Sequence, residues 1–295
     1  MIDLLPSGGP TGILLVGHGT RSAEGRRELL QIGNMVESAV GGVTVETGFL
    51  ELCEPTAGDA LDRLVARGAR QVSVVPLMLN AAGHAKSDVP AVVLEGRQRH
   101  PGVHLTYGRA LGVDHVTISV ARRRILAAGG DGASLLVVAR GTSEPEANAD
   151  GARVARLLAE LTSAPFVVTG FSGLTWPLVP DALDQCRRLG AASIVQFAWY
   201  LCTGVLVDRM REQGEEWSGH TGIPVRWAGH LGPDADLVPL IVARAAEALE
   251  GAVVMSCDLC SYRAPFPGLE NRVGQPAGVG HSHLALEHRR HAHHD

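Results

Sequence analysis

Lysine is almost missing from this 295-residue chain: it occurs once, at Lys86, and arginine carries nearly all the positive charge. No basic block offsets a net charge of −5, and aromatic residues make up only 4%. Polyanions are held by clustered cations and single strands by stacking rings, so a nucleic-acid-binding role has little support. No apolar run reaches the ~18 residues that a bilayer span requires. Residues 1–10 lack the basic start and long apolar stretch of a signal peptide. A soluble, cytoplasmic protein is the expectation. Cysteine is scarce and odd in number. The five, Cys53, Cys186, Cys202, Cys257 and Cys260, are too scattered for a disulfide framework. What is plentiful is apolar: 45% of residues against 19% charged, a globular composition with material for a sizeable core.

Residues 12–16 read GILLV and run into Gly17-His18-Gly19-Thr20, the pattern of a buried strand ending in a glycine-rich turn. Ser22 is placed to cap a helix over 23–40 that stops at Gly41-Gly42. A second strand is expected at 43–50, then a helix from Pro55-Thr56 to Arg67 closed by Gly68. A third strand follows at 71–79, a helix over about 88–97, a short strand at 104–108 and a helix over 114–128. Strands alternating with helices predict a parallel sheet covered on both faces.

The pattern then restarts. SLLVV at 134–138 precedes Ala139-Arg140-Gly141-Thr142, as ILLV precedes Gly17-His18-Gly19-Thr20. One constant separation carries Gly48-Phe49, Pro55, Asp59-Ala60-Leu61 and Gly68 onto Gly170-Phe171, Pro177, Asp181-Ala182-Leu183 and Gly190. Gly83 falls on Gly204 after a one-residue slip, and Leu111-Gly112 on Leu231-Gly232 after another. This is an internal duplication of a unit of about 120 residues. The expected fold is α/β: two similar lobes, each a small parallel sheet flanked by helices. Residues 1–130 form the first lobe, 131–250 the second and 251–295 a tail, with Gly129-Gly130-Asp131-Gly132 as linker.

The two copies keep glycine and proline but exchange their polar groups. His18 becomes Arg140, Glu51 becomes Gly173, Glu54 becomes Trp176 and His84 becomes Val205. All four lobe-one residues follow predicted strands, and open parallel sheets bind ligands beyond the carboxyl ends of their strands. An active first lobe facing a degenerate second one is therefore expected. Two imidazoles and a carboxylate suit a loosely held divalent ion, and histidine also accepts protons near neutral pH.

These residues resemble the class II chelatases, which insert cobalt, iron or nickel into sirohydrochlorin. The resemblance rests on residues 15–21 (LVGHGTR), 49–56 (FLELCEPT), 75–84 (VPLMLNAAGH) and Asp88-Val89-Pro90. It spans both lobes and implies the long, two-lobed form, with the tetrapyrrole in the cleft between them. It implies a lyase that inserts Co2+ or Fe2+ into sirohydrochlorin for cobalamin or sirohaem biosynthesis. His18 is then proton acceptor and metal ligand, and His84 the second ligand. Glu54 and the loop Leu79, Asn80, Ala81, Ala82 and Gly83 contact substrate. The substrate is rich in carboxylates, so cationic groups should line the cleft, with Arg21, Lys86 and Arg140 as candidates. No nucleic acid or membrane partner is implied, and the chain is expected as a monomer or homodimer.

Two features lie in the tail. Cys257 and Cys260 form a C-x-x-C pair that cannot alone complete a four-cysteine cluster. Longer family members carry a similar element that binds an iron–sulfur cluster; a zinc clip and two free thiols remain alternatives. His281, His283, His288, His291, His293 and His294 make the chain's end a candidate metal-collecting segment. Rival readings of the whole chain are a non-enzymatic metal carrier and a histidine phosphatase. The latter would need Arg before His18, where Gly17 stands. A nucleotide-binding α/β protein is weaker still, because Gly17-His18-Gly19 is not a full G-x-G-x-x-G.

Overall fold

A computed structural model describes residues 10–251 and 253. β1 (Thr11–Gly17) is buried along its whole length, as a strand covered on both faces must be. Its side chains alternate: Ile13 and Leu15 enter one core, Leu14 and Val16 another. Ser22 caps α1 (Ala23–Val40) by accepting from Gly25 N–H, and Thr56 caps α2 (Ala57–Ala66) by accepting from Asp59 N–H. β2 (Thr44–Phe49), β3 (Gln71–Pro76), α3 (Val89–Arg99), β4 (His104–Tyr107) and α4 (His115–Ala127) complete the first repeat. The second repeat runs through β5 (Ser134–Ala139), α5 (Pro145–Leu161), β6 (Val167–Phe171), α6 (Val179–Arg188), β7 (Ile194–Ala198), α7 (Val205–Thr221), β8 (Val225–Trp227) and α8 (Val238–Leu249).

Among the described residues the strands form two four-stranded parallel sheets, ordered β2-β1-β3-β4 and β6-β5-β7-β8. The two-lobed α/β architecture expected from the duplication is present. In each sheet the order reverses beside the first strand, which opens a crevice at the carboxyl ends of β1 and β3 and of β5 and β7. One large apolar core runs between the lobes, from Ile13 and Leu15 to Val137, Phe197 and Trp199. Smaller cores close the outer faces, one around Leu61 and Leu105, the other around Leu183 and Met210.

The element bounds shift by a residue or two from the sequence expectation, and two departures matter most. β3 ends at Pro76 rather than residue 79. Its last bond to β4 is Gly108 N–H to Val74 O at 2.8 Å, and Leu77 N–H to Val16 O at 2.8 Å ends its pairing with β1. With no partner on either side the chain leaves the sheet. The helix expected from 88 is preceded by one wide π turn, His84–Asp88, and runs on to Arg99.

The unit of repetition in sequence is not the unit of packing in space. α8 closes the second repeat, yet it lies on the first lobe's sheet, where Ser73 Oγ donates to Ala245 O at 3.0 Å. Arg244 of α8 is only 3% exposed. Its two terminal nitrogens donate to Leu111 O at 3.1 Å, Asp114 Oδ2 at 3.0 Å and Glu247 Oε1 at 2.8 Å, while its buried Nε has no hydrogen-bond partner. Arg109 grips the same Glu247 through two bonds, of 2.8 and 2.9 Å. A buried guanidinium is tolerable only when paired in this way. In return α4 of the first repeat reaches the second lobe. There Arg124 donates to Leu231 O at 3.0 Å, and Arg123 pairs with Asp234 and Asp236.

Candidate metal centre

Three loops leave the carboxyl ends of β1, β2 and β3 and meet at one point. Leu50 N–H donates to Gly17 O at 3.0 Å and Glu51 N–H to His18 O at 3.1 Å, so the first two loops are tied backbone to backbone. Gly19, at φ +101°, is where they cross: a Cβ there would lie 1.8 Å from Glu51 O. Only glycine fits that conformation and that spacing. The third loop brings His84 at the head of the π turn, whose Ala85 carbonyl accepts from the Tyr107 hydroxyl.

His18 Nε2 lies 2.9 Å from His84 Nε2 and 3.3 Å from Glu51 Oε1. The two rings meet edge to face, with centroids 4.2 Å apart. One ligand atom from each of His18, Glu51 and His84 falls within 4.8 Å of the others. The outer nitrogens assign the protons. His18 Nδ1 faces Gly19 O at 3.1 Å, and His84 Nδ1 faces Asp88 Oδ2 at 2.5 Å. An acceptor opposite each Nδ1 keeps a proton there, so in the neutral rings both Nε2 atoms present lone pairs. Two lone pairs and a carboxylate oxygen aimed at one point repel one another unless a cation, either a proton or a metal ion, sits among them. Burial depresses the His18 pKa, and the neighbouring His84 and Arg140 add to this. The Gly19 carbonyl and Glu51 oppose it without reversing the direction. The shift favours the neutral form of His18, whose Nε2 can take a metal or a substrate proton.

The other candidate residues are placed as follows. Glu54 is exposed, and its Oε2 accepts from Thr56 N–H at 3.1 Å at the start of α2. Leu79 is 6% exposed, with its side chain in the shared core. Only its backbone is therefore available to a ligand. Asn80 Oδ1 accepts from Trp199 Nε1 of the second lobe at 3.3 Å. Ala81, Ala82 and Gly83 are half-buried, and a Cβ at Gly83 would meet open space. Arg140 is exposed and sits near enough to His18 to bear on its protonation. Lys86 departs from the expectation of a cleft-lining cation. Its side chain is 6% exposed, with Nζ 2.9 Å from Glu146 Oε2 of α5, so it joins the lobes. Cys257, Cys260 and the six tail histidines lie outside the described residues.

Asp88 is the residue whose role the sequence reading did not supply. Its signal was the four-residue step from His84, which brings two side chains together on a helical turn.

Residues 12–128 and 134–248 each match the model of the CbiX family. A sirohydrochlorin cobaltochelatase of Priestia megaterium is 37% identical over 259 residues, covering 85% of this chain and 84% of that protein. A sirohydrochlorin ferrochelatase of Bacillus subtilis (strain 168) is 27% identical over 210 residues, covering 70% and 80%. The structure of SirB from Bacillus subtilis with Fe3+ superposes with a TM-score of 0.73 at 25% identity, covering 82% of this chain and 97% of that one.

Proposed function

We propose a function on one premise: the chain belongs to the CbiX family. It is a sirohydrochlorin chelatase that inserts a divalent metal, Co2+ or Fe2+, into sirohydrochlorin. Relatives that act as cobalto- and ferrochelatases support this. The observation that carries it is the convergence of His18 Nε2, His84 Nε2 and Glu51 Oε1 on one point.

The chemistry follows from the donor set. Metal entry releases two pyrrole N–H protons, so the site must first hold a cation and then take protons. Neutral imidazole does both near pH 7, while Glu51 balances charge. A thiolate site would hold the ion too tightly to pass it on. His18 would hold the metal and accept one of the two protons as the macrocycle takes the ion, the other leaving to solvent. His84 is the second ligand, held in orientation by Asp88. Glu54, the loop from Leu79 to Gly83 and Arg140 contact the tetrapyrrole.

The test is spectral: purified protein, sirohydrochlorin and Co2+, Fe2+ or Ni2+ in turn. The expected result is enzyme-dependent conversion of the macrocycle spectrum with Co2+ or Fe2+. A rate no faster than the protein-free control with every metal rejects the assignment.

For residues 254–295 the proposal rests on sequence alone. Cys257 and Cys260 supply half the thiolates of a cluster, so a cluster there would be shared by two chains. Acid-labile sulfide in anaerobically purified protein, lost together with the dimeric mass in Cys257→Ser, is the expected result. Sulfide-free wild-type protein rejects it. The six terminal histidines would collect metal when it is scarce. Among the described residues no helix is long and apolar enough to cross a membrane, and the proposed compartment is the cytoplasm.

A further inference from the structure

The second lobe repeats the backbone of the metal centre almost bond for bond. Leu50 N–H to Gly17 O, at 3.0 Å, returns as Ser172 N–H to Ala139 O, at 2.9 Å. Phe49 N–H to Pro55 O and Phe171 N–H to Pro177 O are both 2.9 Å, and Cys53 N–H to Glu51 O and Thr175 N–H to Gly173 O both 2.8 Å. Leu52 and Leu174 share the left-handed conformation, at φ 67° and 62°. On this common frame the side chains have changed sign. His18, Glu51, His84 and Asp88 stand where the second lobe has Arg140, Gly173, Val205 and Arg209. Every donor of an electron pair is gone, and two guanidinium groups have arrived. Arg209 follows Val205 by the same four-residue step that joins Asp88 to His84.

The two arginines are arranged around Tyr200, in the loop after β7. Ser172 Oγ is 2.7 Å from the Tyr200 hydroxyl and donates to Arg140 O at 2.9 Å. Arg209 Nη2 donates to Ser172 O at 2.7 Å. Burial pushes the Tyr200 pKa up, and both guanidinium groups lie close enough to the phenol to oppose that shift. Arg140 and Arg209 are exposed, and neither is paired with a carboxylate among the described residues. Arg140 is at the same time a neighbour of His18. The cluster therefore begins beside the metal centre and extends along the facing strand ends of the second lobe.

We propose that this crevice is an anion site for carboxylate side chains of the tetrapyrrole, with Arg140 and Arg209 as its cations and Tyr200 and Ser172 as its frame. The proposal rests on the chelatase reading and adds the orientation of the macrocycle, with part of its acidic rim on the second lobe. Guanidinium groups suit the task because they stay charged and meet a carboxylate with two parallel bonds. The ion pairs form with the free macrocycle and persist while the metal enters. They strengthen binding without changing the step itself.

The experiment compares wild-type protein with Arg140→Gln, Arg209→Gln, the double variant and Arg209→Lys. Two quantities are read: KM and kcat for insertion at saturating Co2+, and the Kd of sirohydrochlorin without metal, by absorbance titration. Each single Gln variant should raise KM and Kd about tenfold, the double variant more, with kcat within about twofold. Arg209→Lys should recover part of the loss. Added salt should weaken binding to wild-type protein more than to the double variant. Unchanged KM and Kd in the double variant overturn the proposal, as does a fall in kcat at constant KM. If wild-type protein binds the macrocycle but inserts no metal, the chelatase reading fails, while the Kd series still decides the anion site.

Discussion

Replacing His18 with alanine lowers the rate of metal insertion into sirohydrochlorin by at least about a thousandfold and leaves the fold standing. The size follows from two losses at one atom. In the proposed site Nε2 is a ligand that, with His84 Nε2 at 2.9 Å and Glu51 Oε1 at 3.3 Å, would hold the ion. On the same proposal it would also accept a proton from the macrocycle, a role generally worth ~10²–10⁴ in rate. The fold survives because the same frame in the second lobe carries Arg140 at this position, and the ring contributes little to any core. Its side chain is 38% exposed, and a substitution at such a site usually changes stability by about 0.5 kcal/mol or less. Initial rates by absorbance and a thermal melt measure both. A near-normal rate in His18→Ala removes the ring from the chemistry. A collapsed melting temperature would make it structural instead.

The second large effect is expected at a residue with no functional group. Gly19→Ala puts a Cβ 1.8 Å from Glu51 O, in a backbone at φ +101°. The loops after β1 and β2 must separate, which moves Glu51 away from the two imidazoles. Crowding of this kind typically costs about 1–3 kcal/mol, and the left-handed conformation adds about 1 kcal/mol. Gly141→Ala is the internal control. It makes the same clash with Gly173 O, at 1.9 Å and φ +74°, but displaces no proposed ligand. Both variants should unfold at similarly lowered denaturant concentrations. Below that range kcat should fall steeply in Gly19→Ala and far less in Gly141→Ala. Equal losses of kcat would mean that the crossing serves stability alone.

Much of this arrangement was legible in the residues before any coordinates. GILLV followed by Gly17-His18-Gly19-Thr20 has the signature of a buried strand and its exit turn. The repeat of Gly48, Pro55 and Gly68 at one separation doubled the sheet. Strand ends bearing His18, Glu51 and His84 converge because parallel strands bring their carboxyl ends to one edge. Other features carry no local signal. The width of the turn at His84 depends on where β3 loses its partners. Lys86 looked like a free cation, because Glu146, which pairs with it, lies sixty residues away. The passage of α4 and α8 to opposite lobes is decided by which apolar face each covers, and the spacing of residues within a helix does not record its partner. Arg209 acquires meaning only when set beside Asp88 in the superimposed repeat.

The exchange of α4 and α8 also sets an order of events during synthesis. β1, β3 and β4 leave the ribosome long before α8, the helix that covers β3 and supplies Ala245 O to Ser73. At ~5–20 residues per second the delay is on the order of ten seconds. Throughout it the first sheet has one incompletely covered face, and Asp114 lacks the arginine that later neutralises it. The proposed metal ligands are thus all translated in the first third of the chain, but the sheet that aligns them is sealed by one of the last described helices. A truncated product carries the complete ligand set on an unfinished scaffold, and closure of the first lobe signals that the second has been made.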